Sequence, residues 1–194
     1  MKTLMLCDRK SICFHSRDLR ALSEKAVESA DADVTVFTLN GDELAPCVGC
    51  YGCWIKTPGL CSVKGDVANS LSARFIQADT VILLSEICYG GYSYDMKSFL
   101  DRFIPNILPY FEIYKGQMHH KKRYECMPSM ITIGYGDFCT DEAQIFKELC
   151  CRNALNIRPR NQYALTIQGP DDTEAVMHEL YTVLLGESRS KGVQ

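Results

Sequence analysis

A cysteine-rich segment, PCVGCYGCWIKTPGLC, places four thiols within fifteen residues: Cys47, Cys50, Cys53 and Cys61. Their C-x2-C-x2-C-x7-C spacing wraps the thiols around one loop, and Gly49 and Gly52 permit the positive-φ turns that such a wrap requires. Four converging thiolates are the ligand set of a [4Fe–4S] cluster. Tetrahedral zinc also takes four, more often from two separated pairs. The residues leave three alternatives open: an iron–sulfur cluster, zinc, or reduced structural thiols.

Composition argues against several classes of protein. The net charge of −3, from 21 basic and 24 acidic residues, gives no electrostatic case for nucleic-acid binding. We interpret the basic run HHKKR at 119–123 as a solvated surface turn. The sequence has no stretch of 18 apolar residues, so we expect no membrane span. The first apolar run is too short for a secretory signal. Eleven cysteines, an odd number, fit a reducing compartment, so we expect a cytoplasmic protein.

The segments that must position these cysteines alternate between strand and helix patterns. Apolar runs predict five strands, at 3–7, 34–39, 80–84, 129–133 and 163–167. A helical pattern follows each strand, and Ser16, Ser93 and Thr140 are the expected N-caps of three of these helices. Five β–α repeats predict an α/β fold, a flavodoxin-like three-layer sandwich. Its five-stranded parallel sheet has the order 2-1-3-4-5, with helices on both faces.

Three segments fall outside this pattern, within what we expect to be a single domain of residues 1–194. They are the cysteine-rich loop 44–66, an aromatic and basic insert at 105–126, and a loose polar tail at 187–194 that follows a last helix ending at Gly186. Long inserts in compact domains are usually functional or interfacial. The insert is therefore a candidate interaction surface.

Ligands of open α/β sheets bind beyond the carboxyl ends of the strands, which points to the loops after strands one, three and four. The first loop, DRKSICFHS, leads into the N-terminus of a helix, where free N–H groups suit a phosphate. Its candidate contacts are Arg9, Lys10, Ser11 and Ser16. A helix cap is the commoner role for a serine such as Ser16.

The loop after strand three, SEICYGGYS, has the features of a site for a flat ligand. Gly90 and Gly91 permit close backbone approach, and Tyr89 and Tyr92 offer rings for stacking. The loop after strand four has a similar composition. An ordinary turn with surface tyrosines is the alternative. The candidate binding residues of these two loops are Ser85, Ile87, Cys88, Tyr89, Gly90, Gly91, Tyr92, Ser93, Gly134, Tyr135 and Gly136.

Residues 79–102 resemble the sequence pattern of NADPH-dependent FMN reductases. The matching positions are Asp79, Ser85, Gly90, Ser93, Lys97, Asp101 and Arg102. The cysteine loop, followed by Lys64, Gly65 and Asp66, is similar to that of iron–sulfur flavoproteins, a branch of the same flavodoxin-like superfamily. The chain departs from the family in its glycine-free first loop, in Glu86 where proline is common, and in Cys88 where an aromatic residue is frequent.

The resemblance implies non-covalent FMN, with its phosphate on the first loop and its isoalloxazine ring against the other two. It also implies NAD(P)H as cosubstrate and a homodimer or homotetramer with the flavin near the interface. In the iron–sulfur branch, the residues matching Cys47, Cys50, Cys53 and Cys61 hold a [4Fe–4S] cluster that exchanges electrons with FMN. A homodimer would bury three aromatic residues of the insert and a methionine, namely Tyr110, Phe111, Tyr114 and Met118.

Three functional hypotheses follow. The first is an FMN-dependent NAD(P)H oxidoreductase that passes electrons to a small acceptor; the cofactor carries the chemistry, so no side chain is assigned as acid, base or nucleophile. The second is an iron–sulfur flavoprotein that carries electrons between FMN, a [4Fe–4S] cluster and a protein partner such as ferredoxin. The third is a flavin-less thiol or metal sensor, which the glycine-free first loop favours.

Overall fold

The computed structural model describes residues 1–191. Its strands are β1 (Lys2–Cys7), β2 (Asp33–Thr38), β3 (Thr80–Cys88), β4 (Gly91–Tyr92), β5 (Ile107–Tyr114), β6 (Gln117–Lys122), β7 (Ser129–Tyr135) and β8 (Gln162–Ile167). Its helices are α1 (Leu19–Ser29), α2 (Gly52–Ile55), α3 (Ala68–Gln77), α4 (Tyr94–Asp101), α5 (Thr140–Ile157) and α6 (Pro170–Lys191).

Five strands form a parallel sheet in the order β2-β1-β3-β7-β8, which is the predicted order 2-1-3-4-5. The central strand β3 is apolar on both faces because helices cover both. Val81 and Leu83 belong to the core on the side of α3, α4 and α5, whereas Ile82 and Leu84 belong to the core shared with α1 and α6. The predicted three-layer α/β sandwich is therefore confirmed.

The first residues of the helices differ in part from the prediction. Ser93 caps α4 as expected, since its Oγ accepts the N–H of Met96. Helix α1 is capped by Asp18 and not by Ser16, which has a φ of +62° in a turn closed by backbone hydrogen bonds between Phe14 and Arg17. That turn delays the start of α1 by two residues. Helix α5 is likewise capped by Cys139 and not by Thr140.

Helix α6 continues to Lys191, so the prediction of a loose tail is wrong for residues 187–191. The cause is Glu187, which is buried and accepts hydrogen bonds from Ser129, Asn161 and Tyr163. Residues 192–194 of the predicted tail lie outside the described residues. Within residues 1–191, none of the helices combines the length and the apolar character needed to cross a bilayer.

The insert at 105–126 is not irregular, because most of it forms the antiparallel hairpin β5–β6. Lys115 and Gly116, both with positive φ, make its turn. The basic run at 119–123 lies largely in β6, which corrects its interpretation as a surface turn. An ion pair between Arg158 and Glu112 (2.5 Å) fastens the hairpin to the end of α5.

Candidate functional site at the carboxyl edge of the sheet

The loops after β1, β3 and β7 meet at one edge of the sheet, as predicted. Strands β1 and β7 both pair with β3, so their carboxyl ends are neighbours. Lys10 of the first loop contacts Glu86 of the second with an Nζ–Oε2 distance of 2.7 Å, and His15 of the first loop contacts Asp137 of the third at 3.0 Å. Side chains from all three loops therefore share one surface.

The buried carboxylate of Asp8 forms hydrogen bonds with residues of all three loops. It accepts hydrogen bonds from the backbone N–H groups of Ser11 (3.2 Å) and Glu86 (2.6 Å), and from the hydroxyl of Tyr135. Burial raises the pKa of Asp8, although these hydrogen bonds oppose the shift. The sequence analysis did not single out Asp8; its position directly after a buried strand was the available signal. The network fixes the first loop against β3 and β7.

The charged residues of the first loop have different surroundings. The Arg9 guanidinium donates to Asp95 from Nε (3.0 Å) and to Asp42 from Nη1 (3.1 Å), so its predicted phosphate contact is replaced by two carboxylates near the loop after β2. Ser11 is buried, and its hydroxyl donates to the Asp8 carbonyl, so it has a structural role. Lys10 and Ser16 are exposed and remain candidates for a phosphate contact.

The loop after β3 is a tight hairpin turn, in which Tyr89 and Gly90 both have positive φ (+51° and +74°) before β4 begins. The Tyr89 ring is 98% exposed and is available for stacking, as predicted. Gly90 instead faces α5, because a Cβ there would lie 2.7 Å from Ile145. Its missing side chain therefore serves helix packing, and its assignment to ligand approach stays a prediction.

Tyr92 does not offer a ring to a ligand, because it lies in the core. Its ring packs edge-on against Phe146, with 5.3 Å between centroids. Its hydroxyl contacts the Cys150 sulfur at 3.5 Å and accepts from Asn153 at 3.2 Å. Burial is the main reason that the pKa of Tyr92 is raised. Strand alternation in the short β4 turns Tyr92 inward, while Tyr89 in the turn points out.

The other candidates of these two loops are either buried or partly exposed. The buried ones are Ser85, Ile87, Ser93, Gly134, Tyr135 and Gly136. Ser85 accepts the Ser93 N–H (3.0 Å) and so holds the start of α4. Cys88 and Gly91 are partly exposed beside Tyr89. Burial, followed by the nearby Glu86, raises the pKa of Cys88 to about 11, so its thiol stays protonated near neutral pH.

The four cysteines of the loop at 44–66 line one cavity of about 200 Å³. Cys53 is buried, Cys61 is partly buried, and the other two are exposed. Gly49 has the predicted positive φ, whereas Gly52 does not; there the positive φ falls on Tyr51. Glycine is required at position 52 for a steric reason, because a Cβ there would collide with the side chain of Ser62.

Buried polar contacts fix both ends of this loop. Arg102 donates from Nη1 to the Ala45 carbonyl (2.6 Å) and to Asp66 (2.8 Å), so the last residues of α4 hold the loop. The Asn69 side chain makes two hydrogen bonds with the backbone of Cys61. The sequence analysis noted Asp66 and Arg102 only as matches to a family pattern and assigned them no role.

The chemistry of this donor set fits a metal centre with four cysteine ligands, because all four thiols line the same cavity. Among residues 1–191, no three His, Cys, Asp or Glu side chains are placed to hold a single metal ion. A [4Fe–4S] cluster takes one cysteine on each of its four irons. The three alternatives of the sequence, a cluster, zinc or reduced thiols, therefore stay open.

The sequence profile of the NADPH-dependent FMN reductases matches residues 1–136. The chain belongs to this family of oxidoreductase enzymes. An iron–sulfur flavoprotein of Methanocaldococcus jannaschii is 34% identical over 87 residues, which are 45% of this chain and 41% of that protein. The match thus spans less than half the length of that relative, and it is a distant homologue.

Solved structures with the same fold are far more divergent in sequence. An NAD(P)H:quinone oxidoreductase from Methanothermobacter marburgensis superimposes with a TM-score of 0.68 at 11% identity, covering 95% of this chain and 96% of that one. An FMN-dependent NADH-azoreductase from Bacillus anthracis, solved in complex with FMN, has a TM-score of 0.58 at 13% identity, with 97% and 99% covered. These similarities establish the flavodoxin-like fold.

Proposed function

We propose that this protein is an FMN-dependent NAD(P)H oxidoreductase that passes electrons to a small acceptor. The observation that carries the proposal is the meeting of three loops beside an exposed aromatic ring, Tyr89, in a member of a flavin reductase family. Bound FMN supplies hydride acceptance and electron transfer. The protein positions it, with Tyr89 and the partly exposed Cys88 and Gly91 against the ring end.

The phosphate end of FMN needs a cation and hydrogen bond donors. Lys10 is the cation that fits, because its side chain is 71% exposed and its ion pair with Glu86 lies at the surface, where Glu86 also accepts a weak hydrogen bond from Cys88. Such pairs contribute about 0–1 kcal/mol, so a phosphate can replace Glu86 at small cost. The exposed hydroxyl of Ser16 is a further donor on the same loop.

Titration of the purified protein with FMN tests this proposal, with flavin fluorescence as the measurement. We expect saturable uptake, and oxidation of NADH or NADPH by the FMN-loaded protein when a quinone or an azo dye is supplied. A protein that takes up no FMN under these conditions contradicts the flavoenzyme assignment.

A second function is favoured by the cavity that all four loop cysteines line. In this proposal the cysteines hold a [4Fe–4S] cluster, and the protein relays electrons between FMN and a protein partner of the ferredoxin type. The homologous iron–sulfur flavoprotein supports it. All four thiols line the same cavity, as the four ligands of one cluster must.

Iron and sulfide analysis of protein prepared without oxygen tests the cluster. About four of each per chain are expected. Cys53→Ala should lose both while FMN uptake is retained, and Cys151→Ala, at an exposed cysteine of α5, should lose neither. Stoichiometric zinc, or four freely titratable thiols in the loop, would exclude this second function.

A further inference from the structure

Arg102 is a buried cation in the wall of the cysteine cavity. Its side chain is fully buried at the end of α4, and it lines the cavity together with all four loop cysteines. Its guanidinium group pairs with Asp66 at 2.8 Å, and arginine stays protonated in proteins. Arg102 therefore remains charged beside the thiols.

One N–H donor of Arg102 is left without an acceptor among the described residues. A guanidinium group has five N–H donors. Nη1 serves the Ala45 carbonyl and one Asp66 oxygen, while Nη2 serves the Val63 carbonyl and the other Asp66 oxygen at 3.3 Å each. Nε is buried and has no hydrogen-bond partner among the described residues.

A buried donor without a partner is uncommon in proteins. The Nε atoms of Arg20 and Arg158 share this property, but of the three arginines it is Arg102 that lines the cysteine cavity. Asp66 and two carbonyls take the other four N–H groups, and Cys61 is the neighbouring thiol that interacts with the guanidinium group. A sulfur accepts hydrogen bonds well once it is a thiolate or a sulfide, whereas Asp101, another acceptor in the cavity wall, already accepts from Lys97. Arg102 thus has a spare donor where a cluster would present its acceptors.

We propose that the Nε–H of Arg102 donates a hydrogen bond to a sulfur of the cluster in this cavity, either the Cys61 thiolate or a bridging sulfide. The proposal rests on the cluster proposed above. Hydrogen bonds to the sulfurs and nearby charge set the reduction potential of iron–sulfur clusters. Because the reduced cluster carries one more negative charge, a fixed donor favours it. Arg102 therefore contacts the cluster directly and raises its reduction potential.

Arg102→Lys is the decisive variant, since it keeps the positive charge near Asp66 and removes the Nε donor. The matched control is Arg123→Lys, because Arg123 lies near the same loop but its Nε already donates to the Pro105 carbonyl at 2.8 Å. We expect Arg102→Lys to retain the cluster iron and to lower the equilibrium constant for reduction about tenfold, a midpoint shift of about −59 mV. Arg123→Lys should leave the midpoint unchanged.

A spectroscopic measurement on the unaltered protein covers the case in which Arg102→Lys does not fold. Protein labelled with ¹⁵N in its arginine guanidinium groups is reduced and examined by pulsed electron paramagnetic resonance. A ¹⁵N hyperfine coupling is expected in the unaltered protein and in Arg123→Lys. Its absence from the unaltered protein would overturn the role of Arg102.

The two proposals fail in different ways. If the unaltered protein contains no iron and sulfide, the cluster assignment itself is wrong. If the cluster is present and Arg102→Lys keeps both the midpoint and the coupling, only the role of Arg102 is wrong. A purely structural role for Arg102 would change thermal stability or iron content but leave the midpoint of the loaded protein unmoved.

Discussion

Arg9 and Lys10 are neighbours in sequence, yet only one of them is free to meet a ligand. Arg9 donates to Asp95, a buried carboxylate that also accepts the Gly41 N–H at 2.9 Å. Removing Arg9 would leave that carboxylate without its countercharge, which is costly in a buried site. Among the residues that the structure describes, Lys10 forms its ion pair with Glu86, and its own side chain is 71% exposed. The phosphate of FMN is therefore expected to recruit Lys10.

Lys10→Glu should weaken FMN binding about tenfold to hundredfold, as expected when a hydrogen bond to a charged group is lost. Riboflavin has no phosphate, so its affinity should hardly change. Fluorescence titration of both flavins measures the difference, and Lys121→Glu, an exposed lysine of β6, is the control. Equal losses for FMN and riboflavin would show that the phosphate binds elsewhere.

The sequence predicted that the three loops share one edge of the sheet, but it could not show which of their side chains are free. Arg9 is paired with a carboxylate 86 positions away, and no local pattern reveals that contact. Tyr89 and Tyr92 looked equivalent, and only the short β4 pairing separates the exposed ring from the buried one. Gly90 was predicted to permit the approach of a ligand, whereas its close contact with Ile145 is visible only with α5 folded.

At the scale of elements, the buried carboxylate of Glu187 fixes the carboxyl-terminal part of α6 to the sheet. Glu187 accepts from the Ser129 hydroxyl (2.6 Å) and from Arg160 (2.8 Å), which lie at the amino-terminal side of β7 and β8. Burial alone would raise the pKa of Glu187, but these hydrogen bonds outweigh it and lower the pKa below its usual value. The ionised form therefore stabilises the fold.

Stability should consequently depend on pH through Glu187. A lowered pKa means that the contribution is complete above the unfolded value of 4.5 and is lost as the pH falls through the folded value. Glu187→Gln should reduce the free energy of unfolding at pH 7 by about 1.5–3 kcal/mol, and should shrink the difference between pH 7 and pH 3.

Urea unfolding at the two pH values measures both effects. Glu179→Gln, an exposed position on the same helix, is the control and should behave like the unaltered protein. The same pH dependence in Glu187→Gln and the unaltered protein would mean that other carboxylates, such as Asp66 and Asp95, account for it.

The elements that sequence analysis missed are those whose cause is tertiary. Hairpin β5–β6 escaped prediction because Pro109 interrupts its first strand, and proline is unusual within strands. The register is indeed irregular between Ile107 and Phe111, which accommodates that proline. The five sheet strands were predictable because their apolar runs need no partner to be recognised.

At the scale of the whole molecule, the hairpin presents an apolar face to solvent. Phe111, Ile113 and Met118 are 58%, 70% and 68% exposed, and Ile113 pairs directly with Met118 across the hairpin. Tyr114, expected at the same interface, instead has Arg158 4.2 Å above its ring. A contiguous exposed face of this kind usually marks a contact with another protein.

We expect a symmetric homodimer that covers this face, most simply with two-fold symmetry. Phe111→Glu combined with Ile113→Glu should then shift the protein to the monomer, because burying two carboxylates in an apolar contact is costly. Light scattering at micromolar concentration measures the mass, with Val67→Glu, an exposed apolar residue of another surface, as the control. A monomeric mass for the unaltered protein would refute the dimer.

The chain has a single tryptophan, Trp54, and it lies in the wall of the cysteine cavity. Its indole donates to the Ile107 carbonyl at 3.0 Å, and its ring lies 5.0 Å from that of His120 in the hairpin. Ultraviolet emission from tryptophan therefore originates at one point, between the thiols and the hairpin. Trp54 is therefore an intrinsic fluorescence probe. We expect its emission to be quenched when the cysteine cavity is filled, and the wavelength of its emission to shift when the hairpin is covered.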